Sequence, residues 1–368
     1  MNGKVACSFL ILSAVLFAAA PVSVLADDSA ASIAAGGLVS RRETRIVMAK
    51  EVLRIGLKRV EVDYDFRNDT AEDVTTEVAF PVPDYGYSPD SSSFRVASFS
   101  GFRLLVNGAS VAFQVETKAK LEGKDVTATL LADKIDVASF GHLDEPSGTR
   151  SVNLIPDLAR LPKAEQKRLV TLGLFDAVAD DNPSAMWMVH LQYHWTQRFP
   201  AHSTTHIRHE YSPVAGSELL PLKALQLALQ GTKQGASAHS DETVQDAVAQ
   251  LESLCADVDF LRTAARGVEA GDPQLGQFAY PQWVDFILTS ANTWQRPIED
   301  FTLIIERGAP EQGGKRLISF CSPANGKVEK LDAGHFQVHL ADFVPTAELH
   351  IGFVDLPAAK TARPEGKR

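Results

Sequence analysis

Strict alternation of apolar and polar side chains is the feature that most constrains how this chain can fold. The stretch "RVEVDYDF" alternates between two sets, with Val60, Val62, Tyr64 and Phe66 on one side and Glu61, Asp63 and Asp65 on the other. A period of two is typical of a β-strand with one buried face. Neighbouring acids on one face of a strand lie about 6.6 Å apart, so we expect them to line a solvated face, not to form a catalytic pair.

Strand-like and helix-like segments follow one another in a simple order along the chain. We predict a β framework over about 44–118, 185–213 and 280–355, with helical insertions over about 150–175 and 219–270. This order favours a mainly β protein with helical insertions, of the α+β class, on an antiparallel β-sandwich-like framework.

Turn residues in the first β segment predict two hairpins. We expect residues 59–69 and 74–83 to pair as antiparallel strands across a polar turn. Asn107-Gly108 is a strong signal for a two-residue hairpin turn, because both positions of such a turn need positive φ. Residues 27–40 are rich in Ala, Ser and Gly, and they are expected to form a flexible lead-in.

Residues 240–267 have the most regular helical pattern in the chain. Ser240 can cap the start of this helix and Gly267 can end it. An apolar stripe at helical spacing consists of Val244, Val248, Leu251, Cys255 and Val258. Because such a stripe faces the core, Cys255 is expected to point into the interior.

The first 26 residues resemble a secretory signal peptide. Lys4 precedes an apolar run over residues 5–20, and Val24-Leu25-Ala26 places small or short residues before a cleavage point at Asp27. We therefore expect one mature exported domain over residues 27–357, in the periplasm or secreted, with no membrane span after cleavage. The polar and basic tail, residues 358–368, is expected to be disordered.

The net charge bears on the partners that this protein can bind, and the cysteine count bears on its disulfide bonding. The formal net charge of −10 becomes −11 once Lys4 is removed, which disfavours nucleic acid and anionic membranes as partners. Cys255 and Cys321 are the two cysteines that remain, and in an oxidising compartment we expect them to form a disulfide. The alternative is two buried free thiols.

Residues 188–213 hold five of the ten histidines. Alternation predicts a β-hairpin here, and along one strand His190 and His194 lie about 13 Å apart, too far to share a zinc ion. If the register pairs residues that sum to 400, His194 faces His206 and His190 faces Glu210. The only metal candidates are then His194, His206 and Glu210, although we expect no metal site. We expect a polar sheet face that carries several imidazoles. The candidate binding surface consists of Trp195, His194 and His206, and a response to pH is a further hypothesis.

No catalytic motif is complete in the sequence. "GASAH" around Ser237 lacks the last glycine of a nucleophile elbow, and Asp180-Asp181-Asn182 is more typical of a turn than of a calcium loop. We therefore predict no catalytic residue and no cofactor. The favoured function is a non-catalytic module that binds an envelope protein, a peptide or a glycan. The alternative is a periplasmic hydrolase or metal-binding enzyme that uses the His190–His209 hairpin.

Several segments together resemble one bacterial family. They are "AAGGL", "VDYDFRNDTAEDVTTEVAFPVP", "WMVHLQYHWTQRFPAHSTTHIRHEYSPVAG", "LCADVDF" and "ILTSANTWQRPIEDFTLIIE", followed by Cys321. The family is catalogued as domain of unknown function 4424. The resemblance implies an exported protein without an assigned activity, adds weight to the disulfide, and assigns no catalytic residue.

Overall fold

A computed structural model describes most of the chain between residues 28 and 356. The described ranges are 28–34, 37–86, 94–96, 100–137, 160–175, 185–213, 215–217, 219–231, 242–271, 277–279, 281–310 and 314–356. The predicted signal peptide, Ser237, Asp180-Asp181-Asn182 and the predicted tail lie outside these ranges.

The described residues form more β-strand than helix. The strands are β1 (Ser29–Ala34), β2 (Gly37–Ser40), β3 (Ile46–Gly56), β4 (Val60–Asn68), β5 (Val74–Pro81), β6 (Phe94–Val96), β7 (Ser100–Val106), β8 (Ala109–Ser110), β9 (Gln114–Leu121), β10 (Lys124–Asp125), β11 (Met188–Phe199), β12 (Ser203–Ser212), β13 (Ala215–Ser217), β14 (Leu220–Pro221), β15 (Phe278–Ala279), β16 (Pro281–Phe286), β17 (Ile298–Glu306), β18 (Lys315–Phe320), β19 (Glu329–Lys330), β20 (His335–Phe343) and β21 (Leu349–Leu356). The helices are α1 (Thr127–Ala132), α2 (Lys163–Thr171), α3 (Leu222–Gln230), α4 (Glu242–Ser253) and α5 (Val258–Glu269), with short 3-10 helices at Thr289–Thr293 and Pro323–Asn325.

Three larger sheets organise these strands. Sheet A has the order β10-β9-β11-β5-β1-β2, sheet B has the order β19-β20-β17-β3-β4-β12-β7-β8, and sheet C has the order β18-β21-β16-β13-β6. Nearly all pairings are antiparallel, and β3 with β17 is parallel. Sheets A and B pack face to face: Phe102 of β7 stacks on Tyr193 of β11 with ring centroids 4.2 Å apart. The predicted α+β, sandwich-like fold class is therefore confirmed.

The alternation in the sequence identifies the buried face of β4 correctly. In β4 every second residue is buried, and its three acids lie on the less buried face as predicted. Asn107 and Gly108 have φ angles of 49° and 80° and connect β7 to β8, which confirms that hairpin. The expected flexible lead-in is wrong, because β1 and β2 form the edge of sheet A next to β5.

Two predicted hairpins are also wrong, for a shared physical reason. β4 belongs to sheet B and β5 to sheet A, while β11 belongs to sheet A and β12 to sheet B. The chain therefore crosses between the two layers of the sandwich over residues 69–73 and again over 200–202. Both crossings bury the same apolar faces that a hairpin would bury, so the alternation alone does not distinguish them.

The buried side chain of Asn68 joins the two crossings. Its Nδ2 donates to the carbonyl oxygens of Glu72 and Phe199, each at 2.9 Å, and its Oδ1 accepts from the backbone N–H of Thr70 at 3.0 Å. A buried amide with all of these partners fixes where the chain leaves each sheet.

Helices α3, α4 and α5 form a second core with sheet C. Leu251, Ala264 and Val268 pack in the same cluster as Val354 and Leu356 of β21. Within the ranges that the structure describes, no helix is long and apolar enough to span a membrane.

The helix predicted over 240–267 is divided into α4 and α5. Cys255 has a φ of 50°, which ends the first helix, and Asp257 begins the second by accepting a hydrogen bond from the N–H of Phe260 at 2.7 Å. Gly267 lies inside α5 instead of ending it, where a Cβ would approach Leu356 Cδ2 to 2.6 Å. The expectation that Cys255 points into the core is wrong, because the residue is exposed.

The predicted disulfide is confirmed. Cys255 and Cys321 are bonded, with their Cα atoms 5.0 Å apart and a sequence separation of 66. The bond joins the turn between α4 and α5 to the residue that follows β18. It therefore fixes the helical layer against one edge of sheet C.

Candidate functional site

The histidines of residues 188–213 are distributed over three different surfaces. His190 and His194 lie on the face of sheet A that points away from sheet B, and each is only 7% exposed. The Nδ1 of His190 is 2.6 Å from Asp84 Oδ1, and the Nδ1 of His194 is 2.6 Å from Glu77 Oε1. Each imidazole is therefore oriented by its own carboxylate.

His206 lies on the outer face of sheet B. Its Nδ1 is 3.0 Å from Asp65 Oδ1, and its Nε2 is 3.4 Å from Asp63 Oδ1. Glu210, on the same strand, forms ion pairs with Arg59 at 3.0 Å and with Arg103. Burial alone would raise the pKa of Glu210, but the hydrogen bonds from Arg103 and Arg59 lower it.

The structure does not bring the sequence-predicted site residues together. Trp195 is 3% exposed and points into the sandwich, His194 is on the opposite face of the same sheet, and His206 is on another sheet. The arrangement of His194, His206 and Glu210 depended on the hairpin register, which does not occur. Among the described residues, no group of three His, Cys, Asp or Glu side chains is placed to hold a metal ion.

His209 is the one histidine of the segment that points into the sandwich. Its Nε2 is 2.8 Å from Asp28 Oδ1, and both side chains have no exposed surface. Its ring is surrounded by the rings of Tyr64, Phe80, Phe102 and Trp195, at centroid distances of 5.0 to 5.7 Å. Burial raises the pKa of the Asp28 carboxyl, and the attraction of His209 offsets this only in part.

A cleft of about 430 Å³ opens on another part of the molecule, between α5, β18 and the start of β20. Its apolar lining comes from Phe260 of α5, Ile318 and Phe320 of β18, Val328 before β19 and Phe336 of β20. A volume of this size falls within the usual range of ligand sites, about 300–1,000 Å³.

The cleft follows the open edge of β18. This strand is the terminal strand of sheet C and pairs only with β21 among the described strands. All six residues from Lys315 to Phe320 line the cleft, although successive side chains of a strand point to opposite faces. A lining that includes all six residues indicates a cavity that runs along the edge of the strand.

The disulfide forms one end of the cleft. Cys255 lines it, and its bond to Cys321 holds the start of α5 beside the end of β18. No local sequence pattern reveals this site, because its walls come from three distant segments. The predicted disulfide was the one sequence signal that placed residues near 255 next to residues near 321.

Comparisons with known proteins identify a family but no activity. A family model described as "Domain of unknown function (DUF4424)" matches residues 26–351. No curated protein matches the chain at a significant level. A solved structure from Legionella pneumophila subsp. pneumophila str. Philadelphia 1, of a "putative nutrient binding protein", shares 12% identity at a TM-score of 0.39, covering 89% of this chain and 70% of that one. A likeness at this level establishes neither a shared site nor a shared ligand.

Proposed function

This chain belongs to the family of domain of unknown function 4424, and from that premise we propose that it is a non-catalytic binding module whose cleft accepts an extended polypeptide segment beside β18. We further propose that it acts outside the cytoplasm, on an envelope protein or peptide. The disulfide supports this location, because such bonds persist mainly in oxidising compartments.

The observation behind the proposal is the open edge of β18 along the cleft. Every second residue of an antiparallel edge strand directs both its N–H and its C=O outward. The six residues of β18 therefore present three such residues to the cleft. An added strand can satisfy these groups by main-chain hydrogen bonds, which is the recurring mode of peptide recognition by strand addition.

The side chains around this edge favour a polypeptide over a small polar molecule. Phe260, Ile318, Phe320 and Phe336 provide apolar contacts on both sides of the strand. In strand addition, the main chain contributes affinity, and contacts with alternate side chains contribute specificity. The cleft combines both features along one strand.

The alternative enzymatic function receives less support from the geometry. A hydrolase that uses the His190–His209 hairpin would need His194 or His206 beside a carboxylate in a deep cleft. Both imidazoles do have carboxylate partners, but they lie on separate sheet faces, and neither lines the cleft beside β18.

A pair of matched substitutions tests the binding function. Val328 lines the cleft and is 43% exposed, whereas Leu331 is 51% exposed and does not line it. Short random peptides are displayed on phage and selected on the purified protein, and the selected peptides are measured by fluorescence anisotropy. We expect Val328→Trp to weaken binding at least about tenfold by filling the cleft, and Leu331→Trp to leave it unchanged.

Two results would overturn the proposal. One is a selection that returns no binding peptide at all. The other is a set of peptides that bind the Val328→Trp variant as tightly as the unmodified protein. Thermal unfolding of both variants confirms that each is folded before binding is measured.

A further inference from the structure

We infer, on the premise of peptide binding at this site, that the cleft selects a segment by the order of its charges: the segment runs antiparallel to β18, with acidic groups at its C-terminal end and basic groups at its N-terminal end. The inference comes from the arrangement of charged side chains at the two ends of β18.

The positive end of the cleft is at the start of β18. Lys315 is exposed, and it forms no ion pair with any residue in the described ranges. Arg307 follows β17 and is held nearby, because its carbonyl oxygen accepts a hydrogen bond from Arg316 Nη1 at 3.4 Å. Both Lys315 and Arg307 line the cleft.

Arg307 is positioned but incompletely hydrogen-bonded. Its backbone N–H donates to the carbonyl of Gly334 at 2.7 Å, and its guanidinium carbon lies 5.0 Å from the centroid of the Phe336 ring. Its Nε is buried and has no hydrogen-bond partner in the part of the chain that the structure describes. Arg307 forms no ion pair with any residue in the described ranges, so its positive charge attracts a ligand carboxylate at this end of the cleft.

The third cation of the cleft is already neutralised. Arg316 is 3% exposed and donates from Nε and Nη2 to the two carboxylate oxygens of Asp355, with the second bond at 2.7 Å. A bidentate pair of this kind leaves little attraction for a further anion. The positive charge available to a ligand therefore comes from Lys315 and Arg307.

The negative end of the cleft is at the end of β18. Asp257 and Asp259 line the cleft, and they follow Cys255, whose disulfide to Cys321 places them beside the last residues of the strand. Asp257 accepts the N–H of Phe260 as the cap of α5, and Asp259 is 3.8 Å from Arg262. β18 spans about 17 Å from its first to its last residue, so the two charged ends are well separated.

The direction of the bound segment follows from this separation. A strand antiparallel to β18 places its C-terminal end beside Lys315 and Arg307, and its N-terminal end beside Asp257 and Asp259. Its own terminal charges, or acidic and basic side chains in that order, are then attracted at both ends. A parallel strand with the same charges is repelled at both ends, and parallel pairing is slightly less stable per residue.

Two peptides of identical composition test the inference. Both peptides contain the same central segment, taken from a peptide selected on the purified protein, and both have blocked termini. The first has two lysines before the core and two glutamates after it, and the second has these flanks exchanged. We expect the first peptide to bind the full chain at least about fivefold more tightly at low salt. This preference should shrink in about 1 M NaCl, where the screening length is only about 3 Å.

Charge reversal locates the effect at the positive end of the cleft. We expect Lys315→Glu to reduce the preference for the first peptide several-fold. The matched variant Lys330→Glu changes the charge by the same amount on exposed β19, outside the cleft lining, and we expect it to keep the preference.

The outcomes separate this inference from the proposed function. Equal binding of both peptides, with both weakened by Val328→Trp, would overturn the charge order and leave strand addition intact. Binding that Val328→Trp does not affect would overturn the peptide site itself. A loss of preference in Lys330→Glu as large as that in Lys315→Glu would also contradict the inference, because the effect would then be one of net charge.

Discussion

The Nε2 of His209 on β12 lies 2.8 Å from Oδ1 of Asp28 at the start of β1, and neither side chain has any exposed surface. This contact joins the N-terminal strand of sheet A to the centre of sheet B. The indole N–H of Trp294 adds a hydrogen bond to the carbonyl oxygen of Asp28 at 2.5 Å. The first described residue of the chain is therefore part of the sandwich core.

We predict that Asp28→Ala lowers the free energy of unfolding by about 1–3 kcal/mol, because it leaves the buried imidazole of His209 without its hydrogen-bond partner. Urea denaturation measures the change. The control is Asp65→Ala, which removes a similar contact to His206, a side chain that is 45% exposed. We expect the control to cost at most about 1 kcal/mol, and equal losses in the two variants would contradict the account.

The stability contribution of Asp28 should depend on pH in a defined direction. Burial raises the pKa of its carboxyl above the ordinary value of 3.8, so the folded protein binds this proton more tightly than the unfolded chain. Stability from this group is therefore highest at acidic pH and falls as pH rises from 3.8 toward the raised pKa.

Asp28→Asn removes this titration while keeping a polar side chain of the same size. We expect the difference in unfolding free energy between the unmodified protein and Asp28→Asn to decrease with rising pH in that window. Urea titrations between about pH 4 and 7.5 measure it, and they also test the broader pH response that the histidine-rich segment suggested. A difference that grows as pH rises would have the wrong sign.

Loss of the disulfide should destabilise the protein strongly. Its two cysteines are separated by 66 residues, and closing a loop of that length stabilises a fold by about 4 kcal/mol in the chain-entropy model. We expect the double variant Cys255→Ser, Cys321→Ser to unfold at a lower guanidinium concentration. The unmodified protein in reducing buffer should shift to a similar extent, and no shift under reduction would contradict the prediction.

Asn68→Ala should cost about 2–3 kcal/mol, because it leaves buried backbone groups at both sheet crossings without their partners. Asn292→Ala is the matched control, since exposed Asn292 donates one hydrogen bond, to the carbonyl of Pro345 at 2.9 Å. We expect that variant to lose less than about 1 kcal/mol. Equal losses in urea denaturation would show that Asn68 does not join the crossings.

Alternation predicted the buried face of strands such as β4, but not which strands pair. Alternation in β4 and β12 shows only that one face of each strand packs against a core. A strand in sheet A and a strand in sheet B both meet that condition, because the two sheets pack face to face. The turn residues around 69–73 and 200–202 allowed a hairpin as readily as a crossing. Asn68 stabilises the crossings through a hydrogen bond from its Nδ2 to the carbonyl oxygen of Phe199, which is 131 residues away in sequence.

The candidate site was less accessible to sequence reasoning than the fold. The histidines are concentrated in one segment of the sequence, yet β-strand geometry places them on different surfaces. The cleft depends on segments near residues 255, 315 and 336, whose proximity no local pattern encodes. Only the pairing of Cys255 with Cys321 connected two of them in advance.

Amide hydrogen exchange of β18 tests the central claim most directly. The exchange of residues 315–320 is measured in the full chain with and without a saturating peptide selected on the protein. The account predicts that the outward-facing amides of this strand exchange more slowly in the complex, because the added strand accepts their hydrogen bonds. A bound peptide that leaves the exchange of residues 315–320 unchanged would contradict it.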